Sequence, residues 1–201
     1  YSALTANTTG ATNVAVGAYA LDANTTGSQN VAVGYNALTA ATTGNFNIAM
    51  GHEALDAITT GSNNIAIGQS ALGTNTAGDN VGIGYNAMLA NSTGTQNIAV
   101  GAYALDANTT ADYNVAIGNN ALGDNTTGAN NTALGRAALY RNTTADNNTA
   151  VGYNSLYSNT TGNKQVAIGG TALDANTTGG SNTAVGYGSL SANTTADYNT
   201  A

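Results

Sequence analysis

The chain contains no cysteine, no proline and no tryptophan, and only one histidine and one phenylalanine among its 201 residues. Without cysteine there are neither disulfides nor thiolate metal sites. Three basic residues against ten acidic ones give a net charge of −7, a balance that disfavours a nucleic-acid groove. No apolar run approaches the roughly 20 residues that cross a bilayer, and no charged-then-apolar leader opens the chain. Leu, Ile, Val and Phe together number 32, about 16% of the residues, below the level of an ordinary packed core. Charged residues are equally scarce at 6%, so the chain also lacks the composition of a charge-solvated disordered one.

What is present is a repeat. Gly17, Gly34, Gly51, Gly68, Gly84, Gly101, Gly118, Gly135, Gly152, Gly169 and Gly186 recur every 17 residues, with a single 16-residue step from Gly68 to Gly84. That deletion is read between Gly78 and Val81, as a turn. The consensus unit is N-V-A-V-G-Y-N-A-L-D-A-N-T-T-G-x-x. About twelve units fill residues 1–201 as a single solenoid. With no initiator Met and no distinct cap at either end, the reading is a segment of a longer array, or one that stacks head to tail.

Two aliphatic columns flank an alanine in each V-A-V, and a third falls four residues after the glycine, as at Leu21, Leu38 and Leu55. Period-two alternation marks a strand with one buried face. A 17-residue unit is too short for a helical hairpin, and recurrent Gly, β-branched residues and N-T-T oppose helix. These features predict an all-β fold: a parallel β-solenoid (β-roll) with one 17-residue repeat per coil, stacking at about 4.8 Å.

On that reading the aliphatic columns form the core and the alanines face outward. Ala15, Ala32, Ala49, Ala66, Gly82, Ala99, Ala116, Ala133, Ala150, Ala167 and Ala184 then form a methyl-lined oligomer seam, closed by identical chains with three-fold symmetry preferred. The alternative is that these alanines pack inside their own coil against Ala20, Ala37, Ala54 and Ala71. A second column, Asn13, Asn30, Asn47 and their equivalents, with Gln165 the one substitute, is read as stacked amides bonding along the solenoid. The N-T-T-G segment is read as a second corner with Gly or Asn at positive φ. Where it becomes Ala followed by Asp, as at Ala111-Asp112, Ala145-Asp146 and Ala196-Asp197, the acid takes over a local hydrogen bond.

Asn30 to Leu38, N-V-A-V-G-Y-N-A-L, resembles the head repeats of trimeric autotransporter adhesins, and the longer T-T-G form is similar to repeats of phage tail fibres and surface fibre proteins. The resemblance spans all the units and implies a left-handed parallel β-roll assembled as a homotrimer. The adhesin unit is shorter, about 14 residues, so N-T-T-G stands as the extra corner.

No constellation for catalysis is visible, and the chain is read as no enzyme, with no cofactor and no metal. Gly82-Ile-Gly-Tyr-Asn-Ala87 mimics a dinucleotide turn only because Gly82 replaces the repeat's alanine, and no βαβ unit surrounds it. His52-Glu53 lacks the second histidine of a zinc helix. Asp22, Asp56, Asp106 and Asp174 recur in register as single carboxylates. N-T-T corners match the glycan-acceptor pattern, with an acid two residues earlier at Asn24, Asn108 and Asn176; the competing reading is corner chemistry alone. The tyrosines are read as surface ribs able to bind sugars or partner surfaces. The function these features point to is a structural component of an extracellular fibre, on a cell or virion surface, with a host receptor or surface glycan as a further partner. A rival is an ice-binding solenoid using Thr8, Thr25, Thr42, Thr59 and Thr109, although adjacent threonines of a strand point to opposite faces.

Overall fold

The computed structural model describes residues 2–201. Every coil contributes one three-residue strand: β1 (Val14–Val16), β2 (Val31–Val33), β3 (Ile48–Met50), β4 (Ile65–Ile67), β5 (Val81–Ile83), β6 (Ile98–Val100), β7 (Val115–Ile117), β8 (Thr132–Leu134), β9 (Thr149–Val151), β10 (Val166–Ile168) and β11 (Thr183–Val185). They form one all-parallel sheet of 11 strands in sequence order. Register follows the repeat, with Ala15 opposite Ala32 and Ala32 opposite Ala49. A bridge from Thr183 to Thr200 continues it into the last coil. The fold is thus an all-β, all-parallel β-solenoid with one 17-residue repeat per coil.

The chain leaves each strand through a glycine whose φ lies far outside the range of ordinary residues, +138° at Gly34 and +138° at Gly135. A Cβ on Gly34 would stand 2.4 Å from the carbonyl oxygen of Gly51 in the next coil. Glycine is therefore demanded twice, by backbone angle and by coil-to-coil approach. Three further positions per coil take left-handed φ without being glycine, as at Tyr19 (60°), Leu21 (53°) and Gln29 (59°). The expected positive φ at the N-T-T-G glycine is not found among the positive-φ residues. That glycine serves close approach instead: a Cβ on Gly27 would lie 2.4 Å from Gly44 O.

The alternation of V-A-V is present, but the faces are reversed from the seam expectation. Ala32, Ala49, Ala66, Ala99, Ala116, Ala133, Ala150, Ala167 and Ala184 are fully buried within their own chain, Gly82 is buried with them, and only Ala15, in the first of these strands, is part-exposed. The reason is space. A Cβ on Gly82 would already meet Leu72 Cγ at 3.0 Å, so the leucine column fills the coil and leaves room for no more than a methyl. The alanine column is core, packed with Ala20, Ala37, Ala54 and Ala71, and offers no surface to a neighbour. Val14, Val16 and their equivalents face outward, so of the three aliphatic columns only the Leu21 column is core, fully buried from Leu21 to Leu173 and part-buried at Leu190.

The short coil closes at a different place from the one expected. Asn47 Nδ2 donates to Gly61 O and Asn64 Nδ2 to Ala77 O, so Ala77 occupies the glycine position of the corner. The missing residue is the outward threonine between Thr76 and Ala77, not one between Gly78 and Val81.

Candidate functional site

The interior is polar in good part: among the described residues 19 buried polar side chains accompany 33 buried hydrophobic ones. The pre-strand asparagines form a continuous ladder: the N–H of Asn30 donates to Asn13 Oδ1 at 2.9 Å, and that of Asn47 to Asn30 Oδ1 at 2.9 Å. Nδ2 then reaches a corner carbonyl of the following coil, as Asn30 to Gly44 O at 2.8 Å, except at Asn148, whose Nδ2 has no partner. The stacked amides read from the sequence are present, and they join side chain to backbone.

A second ladder had no counterpart in the sequence reading. The corner asparagines point inward, and each Nδ2 bonds the Oδ1 one coil earlier: Asn108 to Asn91 at 2.7 Å, Asn125 to Asn108 at 3.2 Å, Asn142 to Asn125 at 2.8 Å. Asn24, Asn108 and Asn176 belong to this column and are fully buried. A glycan on any of them would have to occupy the filled interior of the coil, which corrects the acceptor expectation for the folded chain. N-T-T is corner chemistry.

The threonines divide. The first hydroxyl of each pair donates to the carbonyl one coil later, as Thr25 to Thr42 O at 3.1 Å and Thr126 to Thr143 O at 3.0 Å. The second threonine, Thr26 or Thr127 for instance, is exposed, whereas the first is part-buried at Thr25, Thr42, Thr109 and Thr126 and exposed at Thr8, Thr59, Thr76 and Thr194. The acids that follow corner alanines bond between coils rather than locally: Asp112 Oδ1 accepts Thr95 N–H at 2.6 Å and Asp146 Oδ1 accepts Ala129 N–H at 2.7 Å.

The outer surface is of two kinds. On the sheet, two columns of Val, Ile, Thr, Leu and Met stand side by side over all 11 strands, with Val16 58%, Leu134 45% and Ile98 40% exposed. Beyond the strand glycine lie the aromatics. Tyr19 meets Tyr35 edge-on, Tyr35 stacks on His52, and Tyr140 stacks on Tyr157 with ring centres 5.5 Å apart. His52 lies 3.5 Å from Glu53 and both are exposed. Among the described residues no three His, Cys, Asp or Glu side chains group so as to hold a metal.

Asp22, Asp56, Asp106 and Asp174 stay apart as single carboxylates on their coils. Two of them are perturbed. Partial burial raises Asp56, with Glu53 adding to the effect. Burial, and secondarily the charge of Asp124, pushes Asp106 up to about 6. No helix is long and apolar enough to cross a membrane. Compared with known proteins, the chain matches no family model, no curated protein and no solved structure.

The outward aliphatic sheet face, missed in the sequence, did leave a signal. Its columns drift among Val, Ile, Met, Leu and Thr, including Thr132, Thr149 and Thr183, whereas the alanine column admits only Ala and Gly. Freedom in size belongs to a surface, and restriction to a methyl belongs to a tight interior.

Proposed function

We propose that this chain is a non-catalytic structural module of an extracellular fibre or filament, on a cell or virion surface, and that identical chains associate along its aliphatic sheet face. One observation carries the reading. An all-parallel sheet is ordinarily covered on both faces, and here one face carries two columns, apolar but for Thr132, Thr149 and Thr183, that are exposed or part-exposed along 11 strands. At about 4.8 Å per strand and about 14 Å of width, that face measures roughly 700 Å². Soluble monomers seldom leave so large an apolar patch uncovered, and a standard interface takes about 800 Å² from each partner. A second copy presents the same columns at the same spacing, so identical faces fit without adjustment.

Coil-to-coil amide ladders, joined to the strand hydrogen bonds, give a rod that resists unravelling. A repeated outer surface then displays one chemistry many times. This suits a shaft or head more than a chemical reaction.

Light scattering tests the association. A 19.7 kDa chain is expected to run as a multiple of that mass at micromolar concentration. The double variant Ile98→Lys/Ile117→Lys is expected to fall to one chain with unchanged far-ultraviolet dichroism. A wild-type mass of one chain at tens of micromolar overturns the association.

A further inference from the structure

Only three basic residues occur in the chain, Arg136, Arg141 and Lys164. Two of them stand in one coil, at the same place where tyrosines rise on both sides of a surface cleft. Asn120, Ala137 and Asn154, all at left-handed φ, lie together in this cleft, with Arg136 and Tyr153 on one side and Tyr140 and Tyr157 on the other. Its volume is about 310 Å³, at the lower end of the range for small-molecule sites.

The cleft is held open by its own contacts. The Arg136 guanidinium lies 5.5 Å from the centre of the Tyr153 ring, and that of Arg141 lies 5.7 Å from the Tyr157 ring. Tyr140 and Tyr157 stack at 26°, which fixes a near-continuous aromatic wall. The carboxylate of Asp124 beside Tyr140, with partial burial and Asp106 further off, raises its phenol above the ordinary value, so Tyr140 keeps its proton and can donate. No other pair of adjacent coils combines a tyrosine wall with an arginine opposite it.

We propose that this cleft binds an acidic saccharide, a sugar unit or two carrying a carboxylate. Tyrosine faces take the C–H side of a pyranose ring while their hydroxyls remain wet. The Asn120 and Asn154 amides offer both a donor and an acceptor to ring hydroxyls. The Arg136 fork matches a carboxylate with two parallel hydrogen bonds. In a chain of net charge −7, Arg136 lining the cleft and Arg141 against the Tyr157 ring are what make an anionic ligand tolerable there. The site does not depend on the association of chains, and its test reads binding rather than mass.

Three of the chain's 11 tyrosines line the cleft and there is no tryptophan to mask them, so tyrosine fluorescence includes the cleft's signal. Titration with trigalacturonic acid is expected to give a saturable change, with neutral maltotriose binding about tenfold more weakly. Arg136→Gln should lower affinity for the acidic sugar about tenfold, Arg141→Gln should lower it less, and Lys164→Gln should leave it unchanged. Each variant is checked for unchanged dichroism and melting. The proposal is overturned if trigalacturonic acid gives no saturable change, if maltotriose binds as tightly, or if Lys164→Gln loses as much as Arg136→Gln.

Discussion

The side-chain oxygen of Asn24 is buried without a hydrogen-bond partner, and the residue one coil further along its column is Ala41, also fully buried. Everywhere from Asn75 to Asn193 the next asparagine supplies the missing N–H, as Asn91 does for Asn75 at 2.7 Å. Ala41 has none to give, and Ile58 after it prolongs the gap. The corner ladder is therefore two ladders, one ending at Asn24 and one starting at Asn75.

This break sets an order among asparagine deletions. Asn125→Ala strips Asn108 Oδ1 of its donor and removes the acceptor used by Asn142, at a cost of about 2–3 kcal/mol. Asn24→Ala removes an oxygen that is already unsatisfied, frees the part-buried Asn7 and gives up a bond to Gly27 O, which keeps its bond from Asn13, so about 1 kcal/mol is expected. Paired thermal melts should place the midpoint of the Asn125 variant below that of the Asn24 variant. Equal losses would mean that the amide ladder does not contribute as a chain.

Gln165 marks the corresponding fault in the pre-strand ladder. It is the column's one departure from asparagine, and Asn148 Nδ2, one coil earlier, is the buried donor left without a partner. The extra methylene carries the Gln165 amide to Gly179 O and crowds the corner at Gly162, where a Cβ would lie 2.9 Å from Gln165 Nε2. Gln165→Asn should let Asn148 reach its corner carbonyl and raise stability by about 1 kcal/mol, read as a higher urea midpoint at unchanged slope.

The two demands on the strand glycines can be separated. At Gly135, φ is +138° and an added Cβ would meet Gly152 O at 2.6 Å. The corner glycine Gly128 is not among the positive-φ residues, yet an added Cβ there would meet Ala145 O at 2.3 Å. Gly128→Ala should therefore carry the close-approach cost alone. Gly135→Ala adds the backbone term, about 1–3 kcal/mol, and should cost clearly more, enough to split the melting curve in an array whose units contact only their neighbours.

The repeat length, the parallel coil and the period-two strand were all legible, because each rests on spacing alone. The inward face was not. Both faces of V-A-V are apolar, so hydrophobicity could not choose between them, and the deciding quantity is how much room Leu72 leaves beside Gly82. Positive φ at Leu21, Phe46 and Lys164 was invisible for the opposite reason. None of these residues favours that conformation, and it is imposed by hydrogen bonds between coils, such as Leu21 N–H to Ala37 O at 3.0 Å. Of the surface sites, the tyrosine ribs could be seen in the sequence, but not that two coils bring Arg136 and Tyr157 to opposite sides of one cleft.

Asp106 gives the fold a pH dependence of unusual sign. Partial burial, reinforced by Asp124, raises its carboxyl from 3.8 to about 6, so between those values the folded chain binds a proton that the unfolded chain has released. Stability then falls as pH rises through this window. The contribution is fully present below the unfolded value and is lost above the folded one. Asp106→Asn removes the charge while keeping the shape. Melting temperatures measured from pH 3.5 to 7.5 should show the wild type losing stability, relative to the variant, across pH 4 to 6.5. The difference should then level off. Parallel curves over the whole range would show that Asp106 is solvated as an ordinary surface acid, and would remove the desolvation of this coil as its cause.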